Sequence, residues 1–236
     1  MQRLDKFLSS QGLISRKEAC ERIRAGEVSV NGRMVRRKDC KIDPQTDEIR
    51  LGDAPVVYQE YLYLMMNKPA GVLSASRDSA APTVVDLVPA KWRRKGLFPA
   101  GRLDKDTEGL LILTDDGAFA HRMLSPKSGV YKLYEARVDA PVTEEDAAAF
   151  EAGLRLPDGE ICLPAGLRVL EQGECPLTEV RICEGKFHQV KKMFQIRGKN
   201  VLHLKRIRIG NLPLDPALNP GECREIAPEE RFWIFE

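Results

Sequence analysis

The sequence predicts an α+β protein in two parts: a small helix–helix–hairpin domain over residues 1–58, then a larger domain over residues 59–236 built on a mixed, mainly antiparallel sheet. Three observations lead there. In the second part, segments with strand-like apolar patterning outnumber amphipathic helices, and neighbouring strands can pair antiparallel. A turn-rich stretch, Leu51-Gly52-Asp53-Ala54-Pro55, sets that part off from two short helices and a hairpin. The 236 residues suffice for one large domain or two ordinary ones, and such a chain buries about 70–75% of its unfolded surface without needing staples.

Taken in order, Leu4, Phe7 and Leu8 recur at i, i+3, i+4 and mark a first helix, which Gln11-Gly12 interrupts. Ser15 with Glu18 three residues on forms a capping box for a second helix that carries Ala19, Cys20 and Ile23 and ends at Gly26. Val28-Ser29-Val30 is a strand, Asn31-Gly32 a two-residue hairpin turn, and Met34-Val35 starts the return. In the second part, Tyr61 to Met66 reads as a buried strand, Asn67 to Gly71 as a turn, and residues 74–83 as a loop. Gly109 to Thr114 is a strand, and Asp115-Asp116-Gly117 opens a helix with Phe119 and Met123 on one face. Lys132 to Val138 alternates as a strand. Thr143-x-x-Asp146 caps a helix over Ala147 to Leu154, and Leu177 to Ile182 is a strand. His188 to Arg197 is a helix closed by Gly198, with Val190, Met193 and Phe194 as its apolar stripe and His188, Lys191 and Gln195 on another face. Val201 to Ile209 alternates again, and no fixed-period repeat is present.

Composition narrows the function. With 43% apolar and 31% charged residues the chain is neither fibrous nor disordered throughout. Its best apolar run, Leu110 to Leu113, has four residues, far short of the roughly 20 of a membrane span. The start, Met1 to Lys6, lacks the apolar core of a signal peptide, so a cytoplasmic protein with no membrane partner is expected. The six cysteines show no Cys-x-x-Cys spacing, and His121, His188 and His203 are scattered; idle thiols and no metal are expected. No phosphate-loop glycine pattern occurs, so no cofactor is expected either.

The formal charge of +2 conceals an uneven distribution. Residues 1–41 hold 11 Lys and Arg against 5 Asp and Glu, whereas the remainder is net acidic. Within that remainder, residues 185–210 carry Lys186, Lys191, Lys192, Arg197, Lys199, Lys205, Arg206 and Arg208 and no acid. Two basic zones are the footprint of a nucleic-acid binder. Chemistry would sit on residues 99–117, a polar loop running into an apolar strand. Asp104, Asp106, Asp115 and Asp116 compete there, and a turn or helix-cap role suits some of them; composition does not choose.

The helix–helix–hairpin with Arg3-Leu4-Asp5-Lys6-Phe7-Leu8, Ser15-Arg16 and Val28-x-Val30-Asn31-Gly32 resembles the small RNA-binding domain named after ribosomal protein S-four, over about residues 3–50. Five further motifs follow in order: Lys68-Pro69-x-Gly71, Gly101-Arg102-Leu103-Asp104-x-Asp106-Thr107-x-Gly109-Leu110, Lys132-x-Tyr134, Glu184-Gly185-Lys186-Phe187-His188-Gln189-Val190-Lys191-Lys192-Met193, and Leu204-x-Arg206-x-x-Ile209-Gly210. Together they resemble the pseudouridine synthases that act on ribosomal RNA. Thr114-Asp115-Asp116-Gly117, His121-Arg122 and Ser125-Pro126 are similar to the ribosomal small subunit pseudouridine synthase A family in particular.

The resemblance implies an isomerase that breaks the ribose–uracil N1 bond and rejoins the base through C5, with no cofactor. It makes Asp104 the essential carboxylate, acting on sugar or base or removing a sugar proton. Tyr134 becomes the residue that stacks on the base and helps move a proton, and Lys191 the basic partner of Asp104. Most branches of the family have arginine at that last position, and lysine neutralises a carboxylate as a point charge rather than a fork. Lys192 is the fallback. Arg3, Lys6, Arg16, Lys17, Arg102, His188, Lys192 and Arg206 are the expected RNA contacts, with Arg102 as wedge or phosphate contact beside a flipped-out uridine. The implied substrate is one uridine of 16S rRNA (the family's uridine 516), on free RNA or a small-subunit assembly particle, with the protein a monomer. The alternatives are a synthase of 23S rRNA, disfavoured by the Thr-Asp-Asp-Gly and Ser-Pro segments, a non-catalytic RNA-binding assembly factor, and a hydrolase with paired carboxylates, which would release uracil.

Overall fold

The computed structural model describes residues 1–236, and the chain divides into two compact units: Met1–Leu62 with Val88–Leu97, and Tyr63–Leu87 with Phe98–Glu236. In the first unit, β1 (Gln2–Arg3), α1 (Leu4–Ser10), α2 (Arg16–Ala25), β2 (Val28–Val30), β3 (Arg33–Met34), β4 (Lys41–Ile42), β5 (Ile49–Leu51) and β6 (Ala54–Pro55) follow in chain order. β1 pairs with β4, and the other strands form a sheet ordered β3-β2-β5-β6. Local chemistry sets these boundaries. The Ser15 side chain accepts the Glu18 amide at 3.1 Å, and Gly26 closes α2 in the left-handed conformation. Asn31 and Gly32 both have positive φ (51° and 75°), as a two-residue primed turn requires. Leu4, Phe7, Leu8, Ala19 and Ile23 pack on Val28, Ile42 and Ile49 as one apolar core.

The second unit holds β7 (Tyr63–Lys68), β8 (Phe98–Ala100), β9 (Glu108–Thr114), α3 (Gly117–Leu124), β10 (Lys132–Val138), α4 (Glu144–Ala152), β11 (Gly166–Glu171), β12 (Leu177–Ile182), α5 (Gln189–Ile196), β13 (Val201–Ile209), β14 (Leu212–Pro213), β15 (Cys223–Glu225) and α6 (Glu230–Trp233). One sheet runs β11-β12-β10-β13-β9-β7-β15, with β14 beside β13 and β8 beside β9. Its ladders are antiparallel except for β9 against β13. This mixed, mainly antiparallel sheet is the predicted one. No helix of the chain is long and apolar enough to cross a membrane.

Some expected bounds move for identifiable reasons. Thr143 and Asp146 do form a capping box, but the box lies in the helix's own first turn, so α4 begins at Glu144 rather than Ala147. The helix expected from His188 begins at Gln189, because His188 takes a left-handed φ of 54°. β7 extends to Lys68, whose side chain is wholly buried.

Asp146 does more than cap. It accepts Arg197 Nε and Lys199 Nζ, both at 2.8 Å, and ties α4 to the end of α5. Burial disfavours its charge, but the lysine, the Thr143 amide and the arginine outweigh that and hold its pKa at about 2. A carboxylate depressed in the folded state adds stability above its unfolded pKa, and that stability is lost as pH falls from about 4 towards 2. Asp146→Asn should therefore lower stability by about 2–3 kcal/mol at neutral pH. Denaturant melts of both proteins should draw together through this window and converge below about pH 2; a constant difference down to acid pH would show that charge is not the cause.

The parallel contact in the centre of the sheet depends on a glycine. Gly109 opposes Arg206, has φ 97°, and an added Cβ would collide with the Arg206 carbonyl oxygen and amide. Gly109→Ala should cost about 3 kcal/mol or more, read as a lowered thermal midpoint. An unshifted midpoint would mean that β9 and β13 can separate without cost.

Candidate active site

Three elements deliver side chains to one cleft in the second unit. The loop before β9 carries Arg102, Leu103, Asp104 and Thr107; β10 carries Tyr134; and α5 with the turn before it carries His188 and Lys191. The loop is fastened from below by Lys68. This buried ammonium donates to the carbonyls of Pro69, Lys105 and Thr107 at 2.9, 3.2 and 2.8 Å, and burial drives its pKa down to about 8. The Ser74 hydroxyl adds a second tie, donating to the Leu103 carbonyl and accepting its amide. Asp104 thus sits on a braced backbone.

Lys191 Nζ lies 3.1 Å from Asp104 Oδ2 and 2.5 Å from Asp106 Oδ1. Desolvation opposes the ammonium, but the two carboxylates outweigh it and raise its pKa. Asp106 is lowered, chiefly by the same lysine. The two acids differ in setting: the Asp104 side chain is 24% exposed and lines the cleft, whereas that of Asp106 is 74% exposed. His188 Nε2 lies 3.5 Å from Asp104 Oδ1. His188 is held in its strained left-handed conformation at the start of α5, with the exposed ring of Phe187 stacked on it at 3.8 Å. Of the other two candidate acids, Asp116 is the α3 cap, accepting the amides of Ala118 and Phe119 and the Tyr63 hydroxyl.

Tyr134 is 8% exposed and lines the cleft. Arg206, expected as an RNA contact, is buried instead. Its Nε donates to the Leu110 carbonyl at 2.8 Å, and its Nη1 lies 3.5 Å from the Tyr134 hydroxyl. A guanidinium closed off from solvent cannot meet a phosphate backbone, so the structure corrects this expectation: Arg206 backs Tyr134.

The second basic zone is corrected in the same sense. Lys186 pairs with Glu160, Lys192 with Asp158, and Arg197 and Lys199 with Asp146. The acids come from distant parts of the chain, so a local charge count overstates the free positive surface. Lys192, expected as an RNA contact, is 2.7 Å from Asp158 with its side chain 20% exposed. Arg102 is exposed at the cleft. In the first unit, Lys6 and Lys17 are exposed, and Arg3 and Arg16 both hold the buried carboxylate of Asp5. Burial disfavours the Asp5 charge, and the hydrogen bonds from the two arginines more than compensate, lowering its pKa.

Neither Phe187 as a site feature nor the segment 91–95 is among the residues expected from sequence. The second had a visible signal: Lys91, Arg93, Arg94 and Lys95 are four cations in five residues around Trp92, with no acid between Leu87 and Leu103.

A braced carboxylate, a neighbouring ammonium and a cleft tyrosine are a constellation for acid–base or nucleophilic chemistry. Residues 62–196 match the RNA pseudouridylate synthase family and residues 2–47 match the S4 domain. The chain belongs to the RNA pseudouridylate synthase family, with an S4 domain at its N-terminal end. Among named relatives, ribosomal small subunit pseudouridine synthase A of Escherichia coli is 38% identical over 231 residues, covering 97% of both chains. A Bacillus subtilis protein described as an uncharacterized RNA pseudouridine synthase is 46% identical over 236 residues, covering 99% of this chain and 98% of its own. The crystal structure of a pseudouridylate synthase, 36% identical, superposes with a TM-score of 0.68 over 99% of this chain and 100% of that one.

Proposed function

We propose that this protein converts one uridine of 16S rRNA, uridine 516, to pseudouridine, and that Asp104 initiates the cleavage. The observation that carries the reading is the Asp104–Lys191 pair facing Tyr134 in a cleft, in a chain with near full-length similarity to a small-subunit synthase. In the reaction the N1–C1′ bond breaks, the base turns, and a C5–C1′ bond forms. The hydrogen leaves C5 for solvent and N1 gains one, so no oxidant or reductant is needed. Lys191, 3.1 Å away, balances the charge of the Asp104 carboxylate. Tyr134, backed by Arg206, stacks on the base and assists the late proton transfer from C5. The uridine reaches the cleft by flipping out of its stack, with Arg102 at the rim to meet the displaced strand or a phosphate. The protein acts as a cytoplasmic monomer.

The test is tritium release from 16S rRNA labelled at uridine C5, with free RNA and a small-subunit assembly particle as parallel substrates. Release that coincides with pseudouridine at position 516 supports the reading. Release only from 23S rRNA moves the target to the large subunit. RNA binding without release from any rRNA fits a non-catalytic assembly factor and contradicts the proposal.

A further inference from the structure

We infer that a pocket of the second unit, formed around Tyr131, Arg181 and Arg208, holds a nucleotide of the RNA substrate other than the target uridine. The inference rests on the RNA-modifying reading above and adds a contact surface that neither the cleft lining nor the S4 match includes. Leu133 lines this pocket, and Tyr134, the next residue of β10, lines the cleft. Successive side chains of a strand point to opposite faces, so the two sites lie on opposite sides of β10.

The pocket is built into the sheet. Leu133 on β10 is in register with Arg181 on β12 and with Arg208 on β13, so the two arginines flank a buried leucine in one row across three strands. Two strand spacings put their backbones about 10 Å apart, close enough for both side chains to reach one anion. Tyr131, two residues before Leu133, is exposed, and the Arg181 guanidinium lies 4.5 Å from its ring centroid. Backbone bonds fix the wall: the Gly210 amide donates to the Tyr131 carbonyl and the Asn211 amide to the Trp233 carbonyl, both at 2.7 Å. Gly210 has φ 55°, and a Cβ there would collide with the Ile234 carbonyl, so this close approach requires glycine.

The two arginines hold no acid or carbonyl. Elsewhere in the sheet, Arg137 pairs with Glu171, Arg168 with Glu179, and Arg224 with Asp215 and Glu230, while Arg206 donates to the Leu110 carbonyl. Arg181 and Arg208 are exposed, and neither forms a hydrogen bond or an ion pair. Glu236 is the one acid on the wall and pairs with neither. The cavity measures ≈ 510 Å³ over a floor of buried Val130, Leu133 and Ile234. That volume falls within the range of small-molecule sites and exceeds what a bare phosphate fills. Guanidiniums meet phosphate oxygens as bidentate donors, and a tyrosine ring beside them offers a stacking face to a base. A phosphate carrying a nucleoside uses both features, whereas a phosphoserine or a simple carboxylate would leave the ring unused.

The experiment is equilibrium binding of a 16S rRNA transcript across a salt series, using wild type, the Arg181→Gln/Arg208→Gln double variant, Tyr131→Ala and Tyr131→Phe. Both arginines are exposed, so thermal melts of the double variant should match wild type and confirm folding. Its expected result is about tenfold weaker binding at low salt, with the slope of log K against log[salt] reduced in magnitude by about 1. Tyr131→Ala should weaken binding about fivefold with the slope unchanged, and Tyr131→Phe should restore it. The loss should fall on affinity: the single-turnover rate of the double variant at saturating enzyme should stay within about twofold of wild type, since the pocket lies across β10 from the cleft. Wild-type affinity and slope in the folded double variant would overturn the inference, and so would a saturating rate that falls with the affinity. Tritium release by the wild-type protein on the same transcript is scored separately. Reduced affinity and slope in the double variant with no release by wild type would support the pocket while removing the synthase reading; release with an unchanged affinity and slope would do the reverse.

Discussion

Asp104→Asn should yield a folded protein that still binds RNA but has lost about 10⁴-fold or more of its turnover. The substitution keeps size and shape and removes the charge, and the side chain is only partly enclosed, so stability should change by less than about 1 kcal/mol. Asp106→Asn is the control that the geometry recommends. Both acids touch Lys191, yet Asp106 is mostly solvated and absent from the cleft lining. Its loss frees Lys191 to pair with Asp104 alone, so most of the rate should remain. Single-turnover rates at saturating enzyme separate the two. Comparable losses in both variants would mean that the acid pair acts as a unit.

Lys191→Met should lower the single-turnover rate by about 10²-fold or more. The ammonium lies 3.1 Å from Asp104, and removing it leaves that carboxylate without its charge partner in the cleft. Lys191→Arg keeps the charge and should retain much of the rate. Lys192→Met breaks the pair with Asp158 and the contact over the Phe187 ring, and should leave the rate near that of wild type. Stability is a poor readout here, since a pair with both side chains 24% exposed contributes little. A wild-type rate in Lys191→Met with a collapsed one in Lys192→Met would place the basic partner one residue later.

What was legible in the sequence depended on range. β10, β12 and β13 appear with their expected ends because alternation is strong along each. The helix–helix–hairpin was equally clear, since Ser15, Gly26 and Asn31-Gly32 punctuate it with local chemistry. β8, β14 and β15 have only two or three residues and owe their existence to neighbours. The site was visible only in part. Residues alone left four carboxylates open, and the resemblance singled out Asp104. The partnership of Lys191 with both Asp104 and Asp106 joins residues more than 80 positions apart. The burial of Arg206 depends on the approach of β9 to β13, and the docking of residues 88–97 on the first unit runs against chain order. None of these leaves a periodic signal.

The most direct measurement is pseudouridine mapping of all rRNA from cells lacking this protein, complemented with wild type or with Asp104→Asn. The account predicts that a single pseudouridine, at position 516 of 16S rRNA, disappears with the protein, returns with wild type, and stays absent with the asparagine variant. An unchanged map in cells lacking the protein, or restoration by Asp104→Asn, would contradict it.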